Sequence, residues 1–226
     1  MDALAVPLDI LYEDNHLLVV NKPAGLATIG VDEHSTSLAK IAKDYLKRKY
    51  QKPGNVYLGV VSRLDRPVSG VVVLARTSKA AARLTEQFRE RVPAKVYWAI
   101  VERPPEPAEG HCRDWLAHDE SARKMVLSVP QAKAARVAEL DYRTLGQCKD
   151  GRTWLEVRLK TGRKHQIRLQ LSARGWPVVG DQKYGAHSSF SPGIALHARR
   201  LVVEHPTRGV ALSFEAPPPP SWPNLA

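Results

Sequence analysis

Asp65 has the setting in this sequence that is best suited to chemistry. It lies between Arg63 and Arg66 in the segment Val61–Gly70. Two cations beside a carboxyl group favour its ionised form, which can act at neutral pH as a nucleophile or as a base. An Arg–Asp pair in a surface turn would have the same sequence, and structural ion pairs outnumber catalytic ones. This segment alone therefore leaves both interpretations open.

A second candidate is Tyr97, which belongs to the alternating run Lys95–Val101. Residues two apart in a strand share a face, so Lys95 and Tyr97 are predicted to point to the same side. The other side, predicted to enter a core, carries Val96, Trp98 and Ile100. By itself, the run also fits an ordinary half-buried strand with a tyrosine at its wet edge.

A third candidate is the basic segment Thr161–Arg168, which precedes a helix stop signal at Gly175 and Pro177. The cations predicted for the first turns of this short helix are Arg163, Lys164, His165 and Arg168. Cations at that end oppose the positive end of the helix dipole. The unfavourable placement indicates a polyanionic ligand.

Together the three segments resemble the RluA-type pseudouridine synthases. The hallmarks of that family are a His-Arg-Leu-Asp-x-x-Thr-Ser-Gly loop, a Lys-x-Tyr strand and a Gly-Arg-x-His-Gln-(Ile/Leu)-Arg segment, in the order and spacing found here. Three further segments extend the resemblance over nearly the whole chain: Glu13–Gly25, Gly180–Gly185 and Leu196–Ala198. Several separated motifs in fixed order arise by chance far less often than a single motif.

The resemblance implies catalytic roles for three residues in the isomerisation of uridine within RNA. Asp65 would be the catalytic carboxylate, which attacks the sugar or the base or abstracts a sugar proton. Tyr97 would stack on the uracil and help to remove the C5 proton. Arg168 would keep the carboxylate ionised and aligned, as a bidentate guanidinium does better than an ammonium. No metal and no cofactor are implied.

The resemblance also implies contacts with RNA. The target nucleotide must leave its stack, and Arg63 matches the family residue that fills the vacated space. The other predicted RNA contacts are Lys95, Lys164, His165 and Lys22. Solvent exposure alone also fits each of the cations, and His165 fits a role in bracing the loop.

The sequence departs from the family pattern at two positions of the Asp65 loop. Ser62 stands where the family usually has His, and Val68 stands where it usually has Thr. Neither change removes a catalytic group. The loss of the His is expected to affect how the loop contacts RNA or becomes ordered.

The elements that position these residues are predicted from periodicity and from the resemblance. Buried strands are predicted at Val56–Val61 and Val71–Leu74, so that Asp65 lies in a loop at a sheet edge. Other elements are a hairpin of 8–12 with 17–21, helices over 38–46 and 78–91, mainly short strands as far as Lys160, and a hairpin of 202–203 with 210–214. This mixture indicates an α+β fold, and the resemblance implies a large, mostly antiparallel sheet with flanking helices and a central RNA-binding cleft.

Length and charge fit this interpretation. We expect one catalytic domain over residues 1–226, with a loose proline-rich tail over 217–226 and no room for an S4-type RNA-binding domain ahead of it. The net charge of +11 indicates an anionic partner, with nucleic acid as the leading candidate. The excess is concentrated between Arg143 and Arg174, which predicts one strongly positive face that binds phosphate in a salt-dependent way.

The remaining features concern localisation and association. Cys112 and Cys148 form no metal-ligand pattern, the first residues resemble no targeting signal, and no stretch approaches the roughly 20 apolar residues of a membrane helix. We expect a monomer of the reducing cytoplasm, with free cysteines and no obligate protein partner.

Two alternatives to an isomerase acting on transfer or ribosomal RNA remain open. One is an inactive protein that binds and remodels RNA, against which the retention of Asp65, Tyr97 and Arg168 argues. The other is a carboxylate-dependent RNA hydrolase, which would need an acidic cluster for two metal ions that the sequence lacks.

Overall fold

The structure is a computed structural model that describes residues 7–30 and 35–223. Within these residues the chain forms two compact units. The first unit comprises residues 7–30, 35–93 and 198–218, and the second comprises residues 94–197 and 219–223. No helix in the described part of the chain is long and apolar enough to cross a membrane.

The strands and helices of the described residues follow one another in a regular order. They are β1 (Asp9–Glu13), β2 (Leu17–Lys22), α1 (Leu38–Lys49), β3 (Gly59–Val60), β4 (Ser69–Ala75), α2 (Ser78–Arg89), β5 (Ala94–Val101), β6 (Glu109–Asp119), β7 (Lys124–Ser128), β8 (Arg136–Gln147), β9 (Thr153–Leu159), α3 (Gln166–Ser172), β10 (Leu196–Glu204) and β11 (Ala211–Glu215). A 3-10 turn, Gln182–Tyr184, lies between α3 and β10. The predicted α+β class is confirmed.

The sheet of the first unit is covered on both faces. Its strand order is β1-β2-β4-β10, with β3 paired to β4 and β11 paired to β10. In β2, Leu17 and Val19 pack on the side of α2, whereas Leu18 and Val20 pack on the side of α1. Burial on both faces explains why β2 and β4 are continuous apolar runs rather than alternating ones. The Asp65 loop therefore leaves from a rigid scaffold.

The sheet of the second unit has the order β5-β9-β8-β6-β7, and each of these pairs is antiparallel. One of its core clusters joins strand residues to α3 and the 3-10 turn: Leu116, Met125, Ala138, Leu169 and Tyr184. On its exposed surface, Arg113 of β6 pairs with Glu139 of β8 at 2.7 Å. Strands β6 and β8 have 11 and 12 residues, so the prediction of mainly short strands is wrong here.

Both predicted helices of the first unit are confirmed. α1 begins after Ser37, whose side chain accepts a hydrogen bond from the backbone NH of Lys40. α2 begins after Thr77, which caps it in the same way. It ends at Arg89 rather than at Arg91, because Arg91 has left-handed backbone geometry with φ 62°. Helix ends depend on local backbone geometry that side-chain periodicity does not reveal.

The predicted strand Val56–Val61 is largely wrong. Only Gly59 and Val60 pair with β4, although Val56 and Leu58 are buried against the α1 side of the sheet. A short apolar run shows that side chains are buried, but it does not show whether the backbone forms a ladder. The predicted hairpins of β1 with β2 and of β10 with β11 are confirmed.

The carboxyl-terminal segment is packed into the second unit at Trp222. That side chain is buried, and its ring centroid lies 5.0 Å from the centroid of Trp154 and 6.0 Å from that of Phe190. The prediction of a loose tail is therefore wrong for this residue. The contact joins residues far apart in the chain, and the proline-rich sequence carries no sign of it. The last predicted tail residues, 224–226, lie outside the described residues.

Candidate active site

In the first unit, the loop that carries Asp65 is fixed immediately before and after that residue. The hydroxyl of Thr28 donates to the carbonyl of Leu64 at 2.9 Å and accepts from its NH at 3.1 Å. On the other side, the NH of Gly25 donates to the carbonyl of Arg66 at 2.8 Å, and the NH of Val68 donates to that of Asp65 at 3.0 Å. The backbone that presents the carboxylate is thereby held in one conformation.

The two arginines beside Asp65 differ in their surroundings. Arg66 donates from Nε to the carbonyl of Gly25 at 2.9 Å, so this side chain helps to close the loop. Arg63, which precedes Leu64 in the chain, is exposed to solvent. The predicted role of Arg63, to fill the space that the target nucleotide leaves, stays a prediction.

Lys22 is fully buried beneath the Asp65 loop. Its ammonium donates to three backbone carbonyls, those of Pro23, Leu26 and Arg66, at 2.9, 2.7 and 3.4 Å. Burial lowers the pKa of Lys22 to about 8, and the negative charge of Asp65 opposes that decrease. This burial argues against the predicted phosphate contact. The apolar run Leu17–Val20 just ahead of Lys22 was a signal of burial.

The two departures from the family pattern have structural counterparts. The Ser62 hydroxyl donates to the carbonyl of Val73 at 3.3 Å and accepts from its NH at 3.2 Å. Ser62 thus uses its side chain to attach the start of the loop to β4, as a paired strand residue would with its backbone. Val68 is buried, which suits an aliphatic side chain.

Gly70 ends the loop in a conformation that other residues rarely adopt. Its φ is +117°, and a Cβ atom there would collide with the backbone of Ala198 in β10. Ala198 belongs to the Leu196–Ala198 motif. The two motifs are therefore linked within the first unit by a close approach of backbones.

In the second unit, Lys95 and Tyr97 lie on β5, opposite Leu159 and Val157 of β9. Their shared strand face is as predicted. The ammonium of Lys95 lies 3.2 Å from the point that a Cβ of Gly162 would occupy. The structure therefore brings Lys95 beside the start of the predicted basic segment.

The basic segment precedes α3 instead of forming its first turns. α3 begins at Gln166, and His165 just before it has a left-handed φ of 54°. Of the predicted cations, only Arg168 lies in the helix, so the predicted placement of Arg163, Lys164 and His165 is wrong. A β-strand ends and a helix begins within a few residues here, and side-chain type does not show where.

Gln166 holds the basic segment in place. Its buried side chain accepts hydrogen bonds from the Thr161 hydroxyl at 2.7 Å and from the NH of Arg163 at 3.0 Å. Its amide nitrogen donates to the carbonyl of Glu139 at 3.0 Å. One buried amide thus ties the loop to β8, and Lys164 is left exposed at its tip. Nothing in the sequence indicated this role of Gln166.

His165 forms the bracing contact that was one of its two interpretations. Its Nδ1 lies 2.8 Å from the hydroxyl of Tyr184, which accepts the NH of Met125 at 3.1 Å. Tyr184 belongs to the motif Gly180–Gly185, for which the sequence indicated no specific role.

Arg168 is buried and paired with Asp181 of the same motif. Its Nε and Nη2 donate to the two carboxylate oxygens at 2.6 and 2.8 Å, and its guanidinium carbon lies 5.0 Å from the centroid of the Tyr184 ring. A bidentate pair fixes both the position and the plane of a guanidinium. Asp181 and Tyr184 are thus the residues that orient Arg168, and the sequence-based analysis missed both.

The predicted site residues are divided between the two units. Asp65, Arg63 and Lys22 belong to the first unit. The second unit holds Lys95, Tyr97, Lys164, His165 and Arg168. Within the described residues, no group of three or more His, Cys, Asp and Glu side chains is arranged to hold a metal ion.

Comparisons with known proteins agree with the sequence motifs. The RNA pseudouridylate synthase family profile matches residues 16–173. The chain is 35% identical over 219 residues to the dual-specificity RNA pseudouridine synthase RluA of Escherichia coli, covering 93% of each chain. It is 34% identical to the ribosomal large subunit pseudouridine synthase D of Zymomonas mobilis, covering 95% of this chain and 70% of that protein.

The fold comparison gives the same answer. The solved structure of human RNA pseudouridylate synthase domain containing 4 superposes with a TM-score of 0.77 at 28% identity, covering 94% of this chain and 89% of the human one. Sequence motifs, full-length relatives and fold thus agree. The chain belongs to the RluA-type pseudouridine synthase family and is an isomerase that converts uridine in RNA to pseudouridine.

Proposed function

We propose that this isomerase modifies specific uridines in folded transfer or ribosomal RNA, with Asp65 as its catalytic carboxylate. The observation that carries the proposal is the anchoring of the loop on both sides of Asp65, by Thr28 at Leu64 and by Gly25 at Arg66. A surface ion pair would need no such fixation, whereas a group that reacts with a sugar or base must be held in place. The anchoring therefore favours the catalytic interpretation of Asp65 over the structural one.

The chemistry requires an ionised carboxylate. Isomerisation breaks the bond from C1′ to N1, turns the uracil, joins C5 to C1′ and removes the C5 proton. Asp65 would either add to the substrate or abstract a sugar proton, and both routes use the anionic form. The buried ammonium of Lys22 interacts with the negative charge of Asp65, so a cation lies beneath the loop that carries the proposed catalytic group.

The second unit would supply Tyr97 and Arg168. Tyr97 lies on a strand paired along its length with β9, which suits a side chain that must stack on a uracil in a fixed orientation. Arg168 has its plane set by Asp181 and Tyr184, and a fixed guanidinium can align a carboxylate without reorganisation during the reaction. These roles follow the family motifs.

The remaining roles concern RNA. Exposed Arg63 would enter the stack as the target nucleotide leaves it. Lys164 at the tip of the basic segment and Lys95 beside Gly162 would contact phosphates. For His165 we propose an RNA contact through a ring that Tyr184 already orients. Lys22 is left out of this set because its ammonium is buried under the loop.

The test compares the wild type with Asp65→Asn on RNA that carries tritium at C5 of uridine, taken from cells that lack this protein. Wild type is expected to release tritium, and Asp65→Asn to release none while RNA affinity changes little. The matched control is Glu90→Gln, which removes an exposed carboxylate of the same unit and should leave release unchanged.

Each outcome separates two hypotheses. Tritium release by Asp65→Asn at the wild-type rate would disprove the catalytic role of Asp65. No release by either protein, with salt-sensitive RNA binding intact and correctly folded substrate present, would favour a protein that binds and remodels RNA without modifying it.

A further inference from the structure

Helix α1 turns a cluster of cations towards solvent. Its inward side is formed by Leu38, Ala42 and Leu46. Its exposed side carries Lys40, Lys43, Lys47 and Arg48, and Lys52 lies just beyond the end of the helix. We name these five residues the α1 basic surface. Asp44 is the only acidic residue of the helix. The surface thus has a strong excess of positive charge.

Most of these cations lack a carboxylate partner. Within residues 7–30 and 35–223, none of Lys43, Lys47, Arg48 and Lys52 forms an ion pair. The neighbouring Lys49 does, with Glu13 at 2.8 Å. Three exposed arginines on the sheet of the second unit are also paired: Arg113 with Glu139, and Arg143 and Arg158 with Glu156. The end of α1 differs from that sheet because several neighbouring cations there have no such partner.

Helix stability does not explain the whole cluster. Lys47, Arg48 and Lys49 occupy the last turn, where cations interact favourably with the helix dipole. Lys40 occupies the first turn, where a cation opposes the dipole and where the helix itself has no acidic residue. Lys43 and Lys47 are four residues apart, about 6 Å along the axis, and repel each other. A bound polyanion would relieve both effects.

The surface is joined to the Asp65 loop by a short path of hydrogen bonds. The NH of Ala39 in α1 donates to the carbonyl of Thr28 at 3.1 Å. The Thr28 hydroxyl makes the two hydrogen bonds that anchor Leu64, next to Asp65. The first turn of α1 and the proposed catalytic loop therefore share one anchoring residue, so an RNA held at Asp65 can extend towards α1.

We propose that the α1 basic surface binds the phosphate backbone of the RNA substrate, away from the nucleotide that is modified. The inference rests on the proposed function in that RNA is the partner. It adds a contact surface outside the catalytic motifs. Charge complementarity selects the occupant, because consecutive phosphates match the closely spaced cations Lys43, Lys47 and Arg48, and the binding they give is independent of sequence.

The test measures the affinity of a fluorescently labelled RNA stem-loop with uridines in its loop, over a series of salt concentrations. The variant is K43Q/K47Q/R48Q, and the matched control is R89Q/R200Q/R208Q, which removes the same charge from exposed arginines of the same unit that pair with Glu86, Glu215 and Asp14. We expect the α1 variant to bind more than about tenfold more weakly at about 0.1 M salt. The slope of log Kd against log salt should fall by about 2 to 3. The control should keep the wild-type slope.

Further measurements keep the result interpretable. K43R/K47R retains the charge and should bind as the wild type does, and thermal unfolding checks that every variant is folded. Equal losses of RNA affinity in both triple variants, or no loss in either, would overturn the proposal. A loss of affinity for polyglutamate without a loss of affinity for RNA would also overturn it. Because binding is measured directly, a failure of tritium release would contradict the proposed function without changing this result.

Discussion

At the scale of single residues, the burial of Lys22 beneath the Asp65 loop has the clearest physical consequence in the first unit. A fully buried lysine is costly unless its ammonium is hydrogen-bonded and lies near an anion. Lys22 has both, through three carbonyls and the charge of Asp65. The residue predicted to touch phosphate instead supports the loop from within.

This burial predicts a pH-dependent stability. The pKa of Lys22 is about 8 in the folded chain against 10.5 when unperturbed, so between these values the unfolded chain binds more protons. The free energy of unfolding should therefore rise with pH across that window, by up to about 3 kcal/mol relative to Lys22→Met. Urea unfolding of both proteins from pH 7 to above 10 measures the difference.

Two comparisons sharpen this experiment. Lys79→Met removes an exposed lysine, so the difference in free energy of unfolding between this variant and the wild type should stay constant with pH. Asp65→Asn should extend the window to lower pH, because the folded-state pKa of Lys22 falls further when the negative charge of Asp65 is lost. A difference between the wild type and Lys22→Met that stays constant with pH would contradict the assignment.

At the scale of elements, the ends of strands and helices decide how the site residues are presented. The Asp65 loop is held between a two-residue pairing at β3 and the sharp approach of β4 to β10 at Gly70. The basic segment is held between the end of β9 and the left-handed residue that precedes α3. Both site segments are irregular backbone fixed to regular elements, as functional loops generally are.

The Gly70 position gives a second stability prediction. Gly70→Ala should destabilise the chain by about 2 kcal/mol or more, because its φ of +117° disfavours a side chain and a Cβ would collide with Ala198. Gly54→Ala is the matched control, since a Cβ there meets no atom within 4 Å. Its effect should stay within about 0.5 kcal/mol. Equal effects in urea unfolding would show that the close approach carries no cost.

At the scale of the whole molecule, the chain forms two units that both contain residues of the proposed site. The expectation of one catalytic domain over residues 1–226 stays a prediction. The carboxyl-terminal segment contributes to the second unit, where Trp222 packs against Trp154, Phe190 and His197. The last part of the chain therefore adds to the core of a unit that begins more than a hundred residues earlier.

This packing predicts that Trp222→Ala destabilises the second unit by about 3 kcal/mol or more, through the cavity left beside Trp154. Loss of near-ultraviolet circular dichroism in urea, which the clustered tryptophans dominate, reports the change. Leu127→Ala, at an exposed side chain of β7, serves as the control and should alter the midpoint little. An unchanged midpoint in Trp222→Ala would mean that the segment only rests on the surface.

The sequence by itself determined the family, the α+β class, both helices of the first unit and the identities of Asp65, Tyr97 and Arg168 as candidates. Periodicity and ordered motifs are local in the chain, so they can be read without coordinates. Only the tertiary structure decided that Lys22 is buried, that Asp181 and Tyr184 orient Arg168, and that Trp222 enters a core. These outcomes depend on contacts between distant parts of the chain, and residue type alone does not determine which side chains meet.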